Sequence, residues 1–418
     1  MTGQEPIAVI ENEDPLEGLT IALGVTGSIS CYKSLEIASR LVQAGATVDV
    51  IMTKNAAQFV QPLAFKAITA RVPYVDMFDP AAPEGESHVE IARRCDAMLI
   101  APATASSMSK IANGLSDDFV SLTAIATKSP VLLAPAMDSN MWDHFATQAN
   151  LSTLTDAGIQ IIGPSEGRLA SGRTGYGRLV EPIDIVDELR ARIGRERGDL
   201  RGRRVVVTAG GSREAIDPVR FISNRSSGKM GYAIAQAARD RGALVTLIST
   251  VDRRVPACVQ LVEVESAADM HEAVLNETRT ADILVMAAAV ADYRPAAVAD
   301  QKIKKTEDDK GDANIPLEKT TDIVASVSRE QASGRLVKVA FAAETENLLA
   351  NARKKIESKN IDFIVANDVS ATDSGFATDT NRVTIIDEQG TEESLPLMSK
   401  VLVGHKILSR SLGLLESP

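Results

Sequence analysis

Residues 205–232 read VVVTAGGSREAIDPVRFISNRSSGKMGY, a pattern typical of a buried strand, a long polar loop and the start of a helix. Val205 to Val207 is short and wholly apolar, as a strand covered on both faces is. The loop gathers cations, hydroxyls and small residues where the helix begins, near Gly228. Backbone amides and the positive end of a helix dipole at such a place favour a phosphate-bearing ligand. The segment therefore predicts a nucleotide-type site in the second half of the chain.

The first half repeats this order of strand, turn and helix. Ile21 to Val25 predicts a strand, Gly24 to Ser30 (GVTGSIS) a turn, Lys33 to Gln43 a helix and Val48 to Met52 a second strand. Further buried-type strands are predicted at Ala97 to Ala101, Val131 to Leu133, Leu244 to Ile248, Ile283 to Met286, Val337 to Phe341 and Phe363 to Val365. Strands that alternate with helices predict an α/β fold, here two doubly wound Rossmann-like domains.

Length and composition place the division between these domains. A chain of 418 residues is too long for one ordinary core. The stretch IGRERGDLRGRR, residues 193–204, is rich in charge and glycine and precedes a fresh first strand. We predict a loose acidic tail at 1–18, a domain at 19–194, a linker at 195–202 and a second domain at 203–418.

Charge and cysteine usage exclude several classes of protein. The net charge of −11 disfavours nucleic acid and anionic membranes as partners. The 3 cysteines, Cys31, Cys95 and Cys258, are widely spaced, so neither a zinc site nor a disulfide framework is expected and a reducing cytoplasm fits best. The sequence has no long uninterrupted apolar run and no visible signal peptide, so no membrane span is expected.

The turn in the first half predicts a mononucleotide site rather than a dinucleotide site. Gly27 permits a tight turn, and the hydroxyl of Ser28 lies beside helix-start amides. The spacing is not GxGxxG, and the second strand ends in Met52, Thr53 and Lys54 without an acid. A nicotinamide-dependent reductase, the competing interpretation, needs both features.

A histidine and three loops complete the candidate site. Ser87 and Glu90 have capping-box spacing, which makes His88 the first helical residue, where the dipole disfavours imidazolium. The loops from Pro102 (PATASSMSKIANG) and from Pro135 (PAMDSNMW) follow buried strands, where open α/β sheets bind ligands. The third loop, residues 165–178, has too many glycines for regular structure and is expected to form a mobile flap.

Taken together, these segments resemble the flavin-containing cysteine decarboxylases, a family that includes phosphopantothenoylcysteine decarboxylase. The resemblance implies a flavodoxin-like flavoprotein domain, a catalytic role for His88, and FMN bound by residues Gly27, Ser28, Ile29, Thr53, Thr104, Ser106 and Ser107. Two positions depart from the family pattern. Asp138 replaces the asparagine that holds the substrate carboxylate, so either Asp138 is protonated or Asn140 takes that role. Ser171 replaces the cysteine that donates a proton, and an alcohol is a far weaker acid than a thiol.

The second half resembles phosphopantothenate–cysteine ligase. It contains SNRSSGKMG, AAAVADYRP, KIKK (Lys302, Ile303, Lys304, Lys305) and FAAET in that order. The resemblance implies that CTP, with Mg²⁺, is bound by Met286, Ala287, Ala288, Asp292, Lys302, Thr321, Asp322, Ile323, Val324, Phe341, Lys355 and Lys359. It also implies that Arg220 and Asn224 handle the acyl-cytidylate intermediate, with Lys302 acting in catalysis.

With both halves present, the chain resembles the bacterial bifunctional flavoproteins of coenzyme A biosynthesis. This predicts ligation of 4′-phosphopantothenate with L-cysteine, followed by decarboxylation to 4′-phosphopantetheine. It also predicts a homo-oligomer with trimeric contacts between flavin domains and dimeric contacts between ligase domains. An alternative is a ligase whose flavin-binding half is regulatory, since Asp138 and Ser171 depart from the decarboxylase pattern.

Overall fold

A computed structural model describes residues 14–77, 88–303, 314–328, 334–344, 355–368 and 378–416. The chain divides into two compact units at the bond between Arg190 and Ala191. Within the described residues, no helix has the length and apolar character needed to cross a membrane. The division near residues 195–202 stays a prediction, although a helix that begins at Pro182 continues to Arg197.

Parallel strands form the centre of the first unit. They are β1 (Thr20–Val25), β2 (Thr47–Met52), β3 (Ala97–Ala103), β4 (Val131–Pro135) and β5 (Gln160–Ile161). Their order is β2-β1-β3-β4-β5, and each pair of neighbours runs parallel. Every residue of β3 is buried, which explains why this strand is apolar throughout. The order confirms the predicted flavodoxin-like fold.

Helices cover this sheet. They are α1 (Tyr32–Gln43), α2 (Ala56–Phe59), α3 (Pro62–Thr69), α4 (His88–Arg94), α5 (Ala105–Ala112), α6 (Phe119–Ala126), α7 (Ser139–Trp142), α8 (Phe145–Asp156) and α9 (Pro182–Arg197). Helix α1 buries Ser34, Ile37, Ala38 and Leu41, which share one face at helical spacing. His88 begins α4 as predicted, whereas the proposed cap Ser87 lies outside the described residues.

Two predictions for the first unit are wrong. Residues 165–178 are not irregular: β6 (Ser165–Arg168) and β7 (Thr174–Arg178) form an antiparallel ribbon. Glycines can form this ribbon because strands pair through their backbones. Gly175 also leaves room for Ser139, since a Cβ added at Gly175 would lie 3.1 Å from the Cβ of Ser139. Residues 14–18 are not a loose tail, because Leu16 is fully buried and Asp14 pairs with Arg190 at 2.7 Å.

The second unit contains a larger sheet and short hairpins. Its strands are β8 (Arg204–Ala209), β9 (Arg213–Ala215), β10 (Phe221–Ser223), β11 (Leu244–Ser249), β12 (Val259–Glu263), β13 (Ile283–Met286), β14 (Tyr293–Pro295), β15 (Leu317–Lys319), β16 (Val337–Glu344), β17 (Phe363–Asp368), β18 (Thr380–Asn381), β19 (Val383–Asp387), β20 (Glu392–Ser394) and β21 (Met398–Ser399). The main sheet has the order β12-β11-β8-β13-β16-β17-β19-β20. Its first six strands run parallel in the doubly wound order 3-2-1-4-5-6, and β19 joins antiparallel to β17.

The two faces of this sheet hold separate cores. The helices are α10 (Lys229–Asp240), α11 (Ala267–Glu277), α12 (Ile323–Ser326) and α13 (Lys400–Glu416), with a further helical segment at 355–359. Side chains alternate across β8, so Val205 and Val207 pack in one core and Val206 in the other. Gly231 lets α10 lie against β8, since a Cβ there would be 2.6 Å from the Cβ of Ala209.

Candidate active sites

In the first unit, the carboxyl ends of three neighbouring strands meet at one edge of the sheet. The amide of Thr104, after β3, donates to Oγ1 of Thr26, after β1, at 3.0 Å. The amide of Thr53, after β2, donates to the carbonyl of Val25 at 3.0 Å. The strand order reverses between β1 and β3, and this is where doubly wound sheets bind nucleotides. The predicted residues Thr53 and Thr104 therefore flank the turn at Gly27.

The turn and the next helix start carry hydroxyl groups beside backbone amides. Ser28 caps a short 3₁₀ helix, and its Oγ accepts from the amide of Ser30 at 3.3 Å. Thr104 caps α5, where its Oγ1 accepts from the amide of Ser107 at 3.2 Å. Ser106 is exposed in the first turn of α5. Helix α5 is 8 residues long, and the amides of Ala105 and Ser106 at its start remain for an anion, since that of Ser107 donates to Thr104.

A cavity of about 650 Å³ opens beside this turn. It is lined by Ser28, Ile29, Ser30, Tyr32, Lys33, Met137, Asp138, Arg168, Leu169, Ala170, Ser171, Gly177, Arg178 and Leu179. The β6–β7 ribbon thus forms one wall and the predicted flavin turn another. The ribbon is tied to the loop after β4, because the amide of Met137 donates to the carbonyl of Gly177 at 3.0 Å.

His88 does not line this cavity within one chain. Its ring is half-buried, with the centroid 6.4 Å from that of Phe119 and the two planes nearly perpendicular. Thr53, Thr104, Ser106 and Ser107 are likewise absent from the residues that line it. The structure therefore places the predicted FMN residues in two groups: Ser28 and Ile29 line the cavity, and the others, with Gly27, lie in the turn and at the adjoining sheet edge.

Asp138 and Ser171, the two departures from the decarboxylase pattern, contact each other. Oγ of Ser171 donates to Oδ2 of Asp138 at 2.7 Å, and the amide of Asn140 donates to Oδ1 at 3.1 Å. These two hydrogen bonds, with the charge of Arg173, lower the pKa of Asp138. Asp138 is therefore a carboxylate at neutral pH, which argues against the protonated form that the sequence left open.

The ammonium group of Lys33, which also lines this cavity, is paired with a carboxylate. Nζ of Lys33 pairs with Oε2 of Glu181 at 3.0 Å. The Lys33 hydrogen bond, and then the charges of Lys33 and Arg178, lower the pKa of Glu181. The anionic Glu181 therefore holds Lys33 and Arg178 near the same edge of the cavity.

In the second unit, most of the predicted CTP residues surround one cavity of about 620 Å³. Its walls include Asn224, Met286, Ala288, Asp292, Thr321, Asp322, Ile323, Val324, Phe341, Lys355 and Lys359. The cavity lies beyond the carboxyl ends of β13 and β16, which neighbour each other in the sheet. Ala287 instead lines a smaller neighbouring cavity, and Arg220 and Lys302 line neither.

Hydrogen bonds from side chains hold the walls of this cavity. Nδ2 of Asn224 donates to the carbonyls of Ala289 and Val290 at 3.2 and 3.1 Å, so Oδ1 is the amide atom left to accept from a ligand. Asp322 caps α12, accepting from the amide of Ala325 at 3.2 Å. Its other carboxylate oxygen pairs with Nζ of Lys359 at 2.7 Å. One ion pair therefore joins the start of α12 to the helical segment at 355–359.

Arg220 and Asp217 hold the segment that carries Lys302 through hydrogen bonds. The guanidinium of Arg220 binds Oδ2 of Asp217 through Nε at 2.9 Å, and a terminal nitrogen donates to the carbonyl of Ile303 at 3.1 Å. The amide of Ile303 donates back to Asp217 at 3.2 Å. The guanidinium holds the pKa of Asp217 well below its usual range. These bonds fix the backbone of Ile303, the residue that follows Lys302. Lys304 and Lys305 lie outside the described residues.

The smaller cavity combines part of the SNRSSGKMG segment, which the sequence pointed to, with three polar residues that it did not: Asn367, Asn381 and Lys400. Its lining includes Ser226, Ser227, Lys229, Asn367, Asn381 and Lys400. Asn367 is 8% exposed, and its Oδ1 has no hydrogen-bond partner among the residues that the structure describes. The only sequence signal for Asn367 is its place one residue beyond the apolar core of β17, at the same carboxyl edge as the other ligand loops.

Nothing in the described ranges forms a protein site for a metal ion, since no group of three or more His, Cys, Asp or Glu side chains is close enough together. Two cations lie near the start of α10: Arg253 lies over the ring of Tyr232, and Lys229 pairs with Asp379 at 2.7 Å.

Comparison with known proteins agrees with this division. The flavoprotein family matches residues 9–194, and the C-terminal domain of DNA/pantothenate metabolism flavoproteins matches residues 200–414. Coenzyme A biosynthesis bifunctional protein CoaBC of Bacillus subtilis (strain 168) is 45% identical over 402 residues, 96% of this chain and 98% of its own length. The protein of the same name from Escherichia coli (strain K12) is 42% identical and covers 94% of this chain and 96% of itself.

Among solved structures, the C-terminal domain of a CoaBC protein is 40% identical, covering 51% of this chain and 96% of that one, with a TM-score of 0.43. The FMN-dependent cysteine decarboxylase SpaF is 28% identical over 39% of this chain and 91% of its own, with a TM-score of 0.35. Identity along nearly the whole length decides the relationship, and the chain belongs to the family of bifunctional coenzyme A biosynthesis proteins.

Proposed function

We propose that the second unit joins 4′-phosphopantothenate to L-cysteine at the expense of CTP, and that the first unit, with FMN, decarboxylates the product to 4′-phosphopantetheine. Family membership supports both activities. The observation that carries the assignment is that each unit has a cavity at the carboxyl edge of its sheet, lined by residues that the resemblance had named.

The larger cavity of the second unit suits a nucleoside triphosphate. Thr321 to Val324 bring the start of α12 and its amides to the wall, and Lys355 and Lys359 supply positive charge. Asp292, exposed at the opposite side, can accept hydrogen bonds from a ribose. In the absence of a carboxylate cluster among the described residues, the triphosphate itself is the expected ligand of Mg²⁺.

The proposed ligase reaction has two steps. The carboxylate of 4′-phosphopantothenate attacks the α-phosphorus of CTP, which releases pyrophosphate and forms an acyl-cytidylate. The amine of cysteine then attacks the acyl carbon, CMP leaves, and the amide bond forms. Lysines, among them Lys302, offset the charge that gathers on the phosphates. Asn224, fixed through Nδ2, offers Oδ1 as an acceptor for the incoming amine.

The first unit has the polar groups that FMN requires. The turn at Gly27 and Ser28 and the amides at the start of α5 suit a phosphate, and Thr104, Ser106 and Ser107 add hydroxyls. The adjoining cavity has room for an organic ring between the turn and the ribbon. When bound, the flavin supplies the two-electron chemistry that makes loss of carbon dioxide favourable.

The protein's own groups then determine how the substrate is held. Because Asp138 is an anion, it repels the substrate carboxylate, and Asn140 is the better candidate for binding that group. Ser171 already donates its hydroxyl proton to Asp138. We therefore assign Ser171 a role in fixing the ribbon, and expect water to deliver the proton that a family cysteine would donate.

One reaction tests the whole assignment. Purified protein is incubated with 4′-phosphopantothenate, cysteine, CTP and Mg²⁺, and products are identified by mass spectrometry over time. Appearance of 4′-phosphopantothenoylcysteine and then 4′-phosphopantetheine supports both activities, with ATP in place of CTP as the nucleotide control. Accumulation of the first product alone would favour the alternative in which the flavin half is regulatory. A colourless protein with no product would remove both assignments.

A further inference from the structure

Lys338 is a charged residue inside the core of the second unit. It lies on β16 and is 1% exposed. Its neighbours on the same face of the strand, Leu336 and Ala340, belong to the apolar core that also contains Ile323 and Ile356. A buried ammonium is costly unless hydrogen bonds replace its water, so Lys338 is expected to have a specific role.

Three backbone carbonyls replace that water. Nζ of Lys338 donates to the carbonyls of Val324 at 3.1 Å, Val327 at 3.0 Å and Lys359 at 3.2 Å. An ammonium has three N–H donors, so the group is fully used. Val324 and Val327 lie in and just beyond α12, and Lys359 ends the helical segment 355–359. Carbonyls at helix carboxyl ends lack partners and carry partial negative charge, which a buried cation offsets.

The two segments that Lys338 joins both form walls of the larger cavity. One carries Thr321 to Val324, and the other carries Lys355 and Lys359. The ion pair between Asp322 and Lys359 joins the same segments on the side that faces the cavity. Lys338 therefore fixes the distance between the two segments through their backbone carbonyls. Its own side chain does not line the cavity.

We propose that Lys338 is a positioning residue for the nucleotide: by holding both walls at a fixed separation, it allows Thr321 to Val324 and the two lysines to contact one triphosphate together. This inference rests on the proposed use of CTP. It predicts a defect in nucleotide affinity beyond any loss of stability, with cysteine binding unchanged, because Asn224, the proposed acceptor for the cysteine amine, is held by the carbonyls of Ala289 and Val290 instead.

The test compares Lys338→Met with Val339→Ala in the full-length protein. Methionine keeps the length of the side chain and removes all three donors. Val339 is fully buried on the opposite face of β16, so its truncation lowers stability without touching either wall. K338M is expected to raise the KM for CTP about tenfold, with the KM for cysteine unchanged, whereas V339A leaves both unchanged.

Each outcome has a distinct meaning. If the wild-type protein shows no CTP-dependent ligation, the proposed function fails. If the wild-type protein uses CTP and K338M has the wild-type KM, or if V339A raises the KM as much, the positioning role is overturned.

If K338M does not fold, Lys338→Gln, which keeps two N–H donors, is expected to raise the KM for CTP by a smaller factor, and a wild-type KM would again overturn the role. Hydrogen exchange of the wild-type protein gives an independent measurement. CTP is expected to slow exchange in residues 321–327 and 355–361 over the same concentration range, and separate ranges would contradict the coupling.

Discussion

Oγ of Ser171 donates to Oδ2 of Asp138 at 2.7 Å, so the two residues that depart from the decarboxylase pattern form one hydrogen-bonded pair. The bond joins the β6–β7 ribbon to the loop after β4. It also lowers the pKa of Asp138, so that Asp138 stays ionised, and it engages the Ser171 hydroxyl as a hydrogen-bond donor. A change at either position therefore alters the electrostatics of the other.

Replacing Asp138 by asparagine is expected to lower the KM for 4′-phosphopantothenoylcysteine about fivefold, because repulsion between two carboxylates is removed. The difference from the wild type should shrink as salt is added. Steady-state decarboxylation at two ionic strengths measures it. Asp143→Asn, at the other end of α7, is the control and should keep the wild-type KM. An increase in KM for D138N would contradict the repulsion.

His88→Asn is expected to abolish release of carbon dioxide while CTP-dependent ligation continues at the wild-type rate. The side chain keeps similar size and loses the imidazole, and the two sites lie in separate units. His144→Asn is the control, because His144 caps α8 through a 3.3 Å bond from the amide of Ala146 and packs on the ring of Phe145, and the resemblance gives it no catalytic role. Full decarboxylation by H88N would remove His88 from the mechanism.

Thr104→Ala should lower the flavin content of the purified protein, since it removes a hydroxyl and the cap of α5 together. Loss of an N-cap costs about 1 kcal/mol of stability. Ser266→Ala removes the cap of α11 in the other unit, where Oγ accepts from the amide of Asp269 at 3.1 Å, and is the matched control. Visible flavin absorbance per protein is the measurement. Equal flavin loss in both variants would indicate that only stability matters.

Asp217→Asn is expected to raise the KM for CTP severalfold, because the Arg220 guanidinium and the segment carrying Lys302 lose their shared anion. The folded pKa of Asp217 is depressed, so its contribution to stability is present above the unfolded pKa, about 3.9, and is lost as the pH falls through the folded value. Thermal unfolding below about pH 4 should therefore depend less steeply on pH in D217N.

Asp117→Asn is the control for that experiment. A hydrogen bond from Lys110 lowers the pKa of Asp117 as well, but the residue lies in the first unit. It should leave the KM for CTP unchanged. A wild-type KM in D217N would show that Lys302 needs no such tether.

The sheets were predictable because their signals are local. Ile283 to Met286 was predicted with the bounds that β13 has, and Val337 to Phe341 fell within β16. Buried parallel strands are apolar throughout, and glycines or polar residues mark their ends. The flavodoxin-like strand order followed from the resemblance, which a long match at 45% identity confirms.

What could not be predicted depends on contacts between distant residues. The ribbon at 165–178 is stabilised by pairing with itself and by the loop at Met137, so its glycines alone predicted irregularity. Lys338 lies in the strand VKVAF, where a cation would ordinarily indicate a solvent-facing position. Its burial becomes intelligible only when the carbonyls of two helical segments converge on it. The contact of Asp138 with Ser171 spans 33 residues and has no local signature.

The turn at Gly27 illustrates how neighbouring strands constrain each other's sequence. A methyl group added at Gly27 would stand 2.6 Å from the Cβ of Asn55, in the turn that follows β2. Every residue except glycine carries that Cβ, so a larger residue at position 27 requires the backbone at Asn55 to move or position 55 to become glycine. An engineered substitution of Gly27 must therefore begin with a change twenty-eight residues downstream.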